Sequence, residues 1–167
     1  PVCSPTRGSV LSGRNQSRYR SRSWGHDLPL REVTVAEILR GAGYATGHFG
    51  KWHLAGVPNA DGITGRGVPE SFDAGPRHPG NQGFDVWFTA GNWFDADPPA
   101  GTFWRNGAPV PALKGDTSDL VMAEALEFIR AQVRAGRPFL CVVWFPSPHG
   151  PWRALPADRA PYEAQGA

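Results

Sequence analysis

Long apolar runs are missing from this 167-residue sequence, and none approaches the roughly 18 residues that a membrane-spanning helix requires. A surplus of one charge is missing too. Seventeen Lys+Arg stand against 15 Asp+Glu, a formal net charge of +2 without any single-sign tail, so the composition makes no demand for a nucleic-acid partner. Cysteine occurs only at Cys3 and Cys141, two distant positions that cannot make a disulfide framework. Internal repeats and dividing linkers are also absent, which leaves one compact domain or part of a larger one.

Helical and extended patterns alternate along the chain, and this alternation predicts an α/β fold with a mainly parallel sheet. In TVAEILRGAGY, Thr34 and Glu37 form a capping-box pair, Ile38 and Leu39 offer apolar contacts, and Gly41 or Gly43 allows a left-handed stop. The segment YATGHFGKWHL follows as a strand with its functional end. A second unit, TSDLVMAEALEFIRAQVRAG, places Leu120, Ala123, Leu126, Ile129 and Val133 at helical spacing. It runs into PFLCVVWF, expected as a strand buried on both faces, with Cys141 as a small hydrophobe. Between the units, Pro58 to Pro111 reads as a long loop rich in glycine, proline and aromatics, with Asn106-Gly107 marking a hairpin. The basic run SRYRSRSW reads as a solvated arginine-rich loop, the alternative being a phosphate-binding patch.

The stretch CSPTRG has the marks of a helix start. Ser4 is the expected N-cap and Pro5 the first helical residue, with the helix running through Val10 and Leu11 to a stop at Gly13. Cys3 then lies at the positive helix end, where backbone amides attract anions, and Arg7 supplies a cation one turn on. In GKWHL, Lys51 and His53 alternate about Trp52, so an extended chain sends both to one side and the indole to the other. His149, in FPSPHGPW, follows the strand PFLCVVWF, and the carboxyl ends of parallel strands are where ligands gather. Taken singly, each of these residues also fits an ordinary capped helix, strand face or loop.

Together they resemble a known family. C-S-P-T-R-G-S-V-L-S-G-R is similar to the signature of the type I sulfatases at Cys3, Pro5, Arg7, Leu11, Gly13 and Arg14, with Thr6 where that family usually has serine. GYATGHFGKWHLAG resembles the family's second block, and SPHGP its PH-x-P segment. Gly83 to Asp85, the WRNG hairpin and DLVMAEALEFI are further points of likeness, so the resemblance covers most of the chain.

The resemblance implies an alkaline-phosphatase-like α/β sandwich with a mainly parallel central sheet flanked by helices, of which residues 1–167 form a partial catalytic domain truncated at both ends. It implies hydrolysis of sulfate monoesters, aryl or carbohydrate, by a formylglycine made from Cys3 by a formylglycine-generating enzyme. Arg7 and Lys51 are expected to orient and polarise nucleophile and sulfate, His149 to bind sulfate and protonate the leaving group, and His53 to help regenerate the aldehyde. A calcium ion touching the modified Cys3 is implied, its remaining ligands lying outside these residues, and Asp61, Asp95, Asp97 and Asp119 do not replace them. The expected partners are a sulfated small molecule or glycan, with no nucleic acid and no membrane span, in a periplasmic or secreted setting. The isolated chain is expected to be inactive. Alternatives are a formylglycine-dependent phosphonate or phosphodiester hydrolase, and a non-catalytic protein that binds sulfated glycans. Trp93, Phe94, Trp104 and Trp152 are candidates either for ring stacking on substrate or for filling gaps beneath loops.

Overall fold

Backbone capping determines where the first parallel strand begins. In the computed structural model, which describes residues 2–23, 25–54, 77–93, 96–150, 154–163 and 165, helix α1 spans Cys3–Ser12 and α2 spans Val35–Gly41. The Thr34 hydroxyl accepts from the Glu37 amide (3.1 Å) while the Glu37 carboxylate accepts from the Thr34 amide (2.8 Å), completing the capping box read from the sequence. Gly43 has φ of +90° and turns the chain into β1, Ala45–Lys51. The later elements are β2 (Val86–Ala90), β3 (Phe103–Arg105), β4 (Ala108–Pro109), α3 (Thr117–Arg134), β5 (Phe139–Trp144) and α4 (Pro156–Glu163).

The strands form one sheet in the order β4-β3-β2-β1-β5. Its centre is parallel, β1 pairing with β2 (Gly47 opposite Val86) and with β5 (Gly47 opposite Cys141). The edge formed by β3 and β4 is antiparallel, closed at Asn106 and Gly107, whose φ values of +49° and +92° suit a tight hairpin turn. Register is pinned at the start of β1. The Thr46 amide donates to Asp85 Oδ2 (3.2 Å), its hydroxyl donates to the Gly83 carbonyl (2.7 Å), and the Asp85 amide returns a bond to Thr46 Oγ1 (3.0 Å).

Two apolar layers cover the sheet. Leu11, Leu28, Ala36, Trp52, Phe84 and Trp87 gather on the side of α1 and α2, while Phe49, Phe88, Phe103, Val121, Ala125 and Phe128 gather on the side of α3. Each large side chain buried in this way contributes about 1.5–3 kcal/mol. Gly47 lets α3 approach, since a Cβ there would stand 3.0 Å from the Phe128 ring.

Several sequence expectations are corrected. Helix α1 begins at Cys3 with Val2 as N-cap, because the Ser4 hydroxyl is buried and accepts instead from the Gly25 amide (2.8 Å). The buried face of α3 is Thr117, Val121, Ala125 and Phe128, rotated from the expected stripe so that Phe128 meets Gly47 and Phe49; Val133 is exposed. Ile38 is also exposed, and Ala36, small enough for close approach, is the residue α2 buries. Strand β5 is half-buried because among the described residues it has one strand neighbour, β1. The long middle loop contains β2, whose VWFTA run has no turn signal of its own; most of the earlier part of that loop, with Asp61, lies outside the described residues.

Candidate active site

The carboxyl end of β1 meets the amino end of α1, and this junction assembles the candidate groups. By strict alternation after Phe49, Lys51 would face α3. Gly50 interrupts that alternation with φ of +100°, and any Cβ on it would collide with the Trp144 carbonyl. The Lys51 side chain, 2% exposed, instead brings its Nζ to 3.6 Å from Cys3 Sγ. Pairing with the β2 side continues beyond the strand, the amides of Trp52 and His53 donating to the carbonyls of Ala90 (2.8 Å) and Gly91 (3.0 Å). Trp52 turns into the core as expected, but His53 adopts φ of +50°, so left-handed residues at Gly50 and His53 replace the extended chain expected to carry Lys51 and His53.

Arg7 lies one helical turn after Cys3 and links three elements. Its NH1 donates to the Lys51 carbonyl (2.9 Å), and its guanidinium lies over the Trp144 ring, 4.5 Å from the centroid. Burial lowers the Arg7 pKa to about 10, against the opposing pull of Cys3, so it remains a cation at neutral pH. Beneath it, His48 is fully buried with Nδ1 2.8 Å from the Thr89 hydroxyl and its ring edge-on to Trp52, Phe84 and Trp144. Burial, then the charge of Arg7, keep His48 well below the usual histidine range and therefore neutral.

His53 is pushed down to about 3 by burial first, then by Lys51, Arg7 and His149. His149 follows β5, which runs parallel to β1 and ends at Trp144 opposite Gly50. Its Nδ1 donates to the Gly150 carbonyl (2.7 Å), which fixes the proton on that nitrogen. Arg7 Nε and both ring nitrogens of His53 are buried without a hydrogen-bond partner among the described residues. Buried polar atoms in this state cost about 1–3 kcal/mol each unless something pairs with them. The chemistry of the set, two cations and an electroneutral imidazole beside a sulfur atom at a helix N-terminus, suits an anion with several oxygens.

A cavity of about 450 Å³ reaches Cys3 and Arg7 from this set and is lined by Val2, Cys3, Thr6, Arg7, Val10 and Trp144. Trp144 was not singled out from the sequence, although its place at the end of β5 was a usable signal. Trp93 and Trp104 instead pack against the two core clusters, which favours the gap-filling reading; Phe94, Asp95 and Trp152 lie outside the described residues. Asp97 accepts from the Gly115 amide (2.9 Å), Asp119 lies in the first turn of α3, and Cys141 is a half-buried thiol raised to about 11 by burial.

Among the described residues no cluster of three or more His, Cys, Asp or Glu side chains is arranged to hold a metal ion. Calcium takes six to eight oxygen ligands, whereas the charged groups shown beside Cys3 among the described residues are the cations Lys51 and Arg7. The described residues by themselves therefore do not make a calcium site.

Comparison with known proteins places this geometry. The family model described as Sulfatase matches residues 1–166. An ulvan-active sulfatase of Formosa agariphila is 27% identical over 164 residues, covering 93% of this chain and 28% of that protein. Arylsulfatase G of Canis lupus familiaris is 40% identical over 93 residues, covering 52% of this chain and 14% of that protein. The crystal structure of the sulfatase PsFucS1 from Pseudoalteromonas sp. aligns with TM-score 0.69 at 18% identity, covering 96% of this chain and 37% of that one. The chain thus spans well under half the length of these relatives. No helix among the described residues is long and apolar enough to cross a membrane.

Proposed function

Since this chain belongs to the sulfatase family, we propose that the complete protein hydrolyses sulfate monoesters, with Cys3 matured to formylglycine as its nucleophile. The observation that carries the proposal is the position of the Cys3 sulfur: at the first residue of α1, 3.6 Å from the Lys51 amine and one turn from Arg7. Formylglycine supplies a hydrated aldehyde, one hydroxyl of which attacks sulfur while the other allows sulfate to be expelled afterwards.

The residues divide the remaining work. Lys51 and the α1 amino end hold negative charge at the position of Cys3, and Arg7 Nε offers a buried donor to a sulfate oxygen. The attachment of Arg7 to Trp144 and to the Lys51 carbonyl fixes the direction of that donor before substrate arrives. His53, neutral far below physiological pH, is a proton acceptor suited to the step that releases sulfate from the nucleophile. With Nδ1–H held by the Gly150 carbonyl, His149 contributes sulfate binding and a proton for the departing alcohol from Nε2 when the ring is doubly protonated. The family relatives named for ulvan, aryl and steryl sulfates support the class of ester without selecting one.

The test is expression of the complete protein with a formylglycine-generating enzyme, followed by the mass of the peptide containing Cys3 and by paired assays with an aryl sulfate and a phosphodiester. Aldehyde at Cys3 and faster sulfate release are expected. An unmodified thiol under conditions that convert a control sulfatase would overturn the proposal, as would faster phosphodiester cleavage.

A further inference from the structure

The first 26 residues contain five arginines and no carboxylate, although the whole chain is nearly balanced in charge. Two of the five are already engaged: Arg7 in the site, and Arg14 with the buried Glu32 (3.4 Å). Arg18, Arg20 and Arg22 are exposed, and among the described residues none is paired with a carboxylate. They are also ordered relative to one another. The intervening residues Tyr19 and Ser21 are 4% and 1% exposed, so a helical turn ending at Arg18 and a left-handed Arg20 (φ +64°) interleave two buried anchors with three exposed arginines. Tyr19 anchors the segment to α1 by donating to the Pro5 carbonyl (3.3 Å), and a Cβ on Gly8 would stand 2.6 Å from the Tyr19 hydroxyl oxygen. The Ser21 amide donates to the Gln16 carbonyl (3.1 Å), and His26 Nδ1 lies 3.3 Å from the Arg20 carbonyl.

The row has a direction. It starts just beyond the carboxyl end of α1 and returns along that helix until the Gly25 amide reaches the Ser4 hydroxyl, next to Cys3 in the chain. A helix of this length spans about 15 Å. An extended polyanion with one sulfate at Cys3 can therefore lay others along Arg22, Arg20 and Arg18. Three cations kept apart from acids, on a backbone held by buried anchors, form a surface suited to repeated oxyanions, and guanidinium forks match such groups by paired N–H donors.

We propose that Arg18, Arg20 and Arg22 form a binding row for a sulfated polysaccharide, distinct from the groups at Cys3. That the polymer is also the substrate rests on the sulfatase reading above. A single-stranded nucleic acid is the less suited occupant, because the aromatic residue within the row, Tyr19, is buried and offers no face for a base to stack on.

The experiment measures binding of dextran sulfate, uncharged dextran and single-stranded DNA to the complete protein carrying Cys3→Ala, with and without Arg18→Gln/Arg20→Gln/Arg22→Gln, across a salt series. Dextran sulfate should bind, dextran should not, and the triple variant should bind dextran sulfate roughly tenfold more weakly, with a logarithmic salt slope reduced by about two to three. The triple lysine variant should keep most of the affinity, which separates charge from folding. In the protein with unaltered Cys3, the glutamine triple variant should retain its rate on a small aryl sulfate. Dextran sulfate binding unchanged by the glutamine triple would overturn the row. DNA bound as tightly and weakened as much would reassign it to nucleic acid and overturn the polysaccharide assignment. Because binding is read on the inert Cys3→Ala protein, failure of the row and failure of the sulfatase reaction appear in different assays.

Discussion

Replacing Trp144 tests whether the orientation of Arg7 is built into the fold. The guanidinium lies 4.5 Å from the ring centroid, in a setting dry enough to lower its pKa to about 10. A cation–π contact of this kind contributes about 2 kcal/mol when desolvated, and about 0.5–1 kcal/mol when exposed. Losing 1–2 kcal/mol of fixed orientation corresponds to a decrease of about 5- to 30-fold in kcat/KM. Trp144→Leu should show that decrease, and Trp144→Phe, with a smaller ring quadrupole, should fall between Leu and the parent. The ring also packs against His48 (5.1 Å) and Trp52 (6.4 Å), so both variants should melt at lower temperature. Initial rates on an aryl sulfate, taken well below each melting transition, separate the two effects. Phe and Leu variants with equal kcat/KM, or both at the parental value, would refute the reasoning.

Gly50→Ala combines a φ of +100° with a collision against the Trp144 carbonyl, and should destabilise the protein by about 3 kcal/mol. Gly41→Ala meets nothing within 4 Å and should be neutral or slightly stabilising, so similar urea midpoints for the two variants would contradict the assignment. Acid should destabilise the fold through His53. Its folded pKa of about 3 lies below the unfolded value of about 6.5, so between these pH values the unfolded chain binds a proton that the folded chain does not, and stability falls as pH falls through that window. His48 acts in the same direction. Between pH 7 and 4.5, His53→Gln should lose less of its urea midpoint than the parent, and identical losses would show that His53 is not buried as described.

Local signals in the sequence located the elements that carry their own punctuation. Thr34, Glu37 and Gly43 bound α2, and Asn106-Gly107 bounds the hairpin, because caps and left-handed turns depend on single residues. Strand β2 escaped notice since its identity depends on pairing with β1, a contact distant in sequence. Cys3, Arg7, Lys51 and His53 were recognised through motif resemblance, and the structure brings them together by a route that alternation alone did not foresee. Lys51 turns at Gly50, and His53 turns on itself. Trp144 and His48 were passed over for a related reason: an indole or imidazole in an apolar strand reads as core until the guanidinium above it is placed.

The clamp between Thr46 and Asp85 makes β1 a spacer of set length. From that clamp to Lys51 the strand runs about 17 Å, and every intervening residue is matched to a partner on β2, β5 or both. Length changes in the turn at residues 42–44, between α2 and β1, alter only how the chain arrives. One residue gained or lost between Thr46 and Lys51 would shift the amine relative to the nucleophile and turn Phe49 and its neighbours to the opposite face of the sheet. Insertions and deletions should therefore divide sharply at Thr46: those in the turn at residues 42–44 should leave a folded protein with its site intact, and those between Thr46 and Lys51 should not.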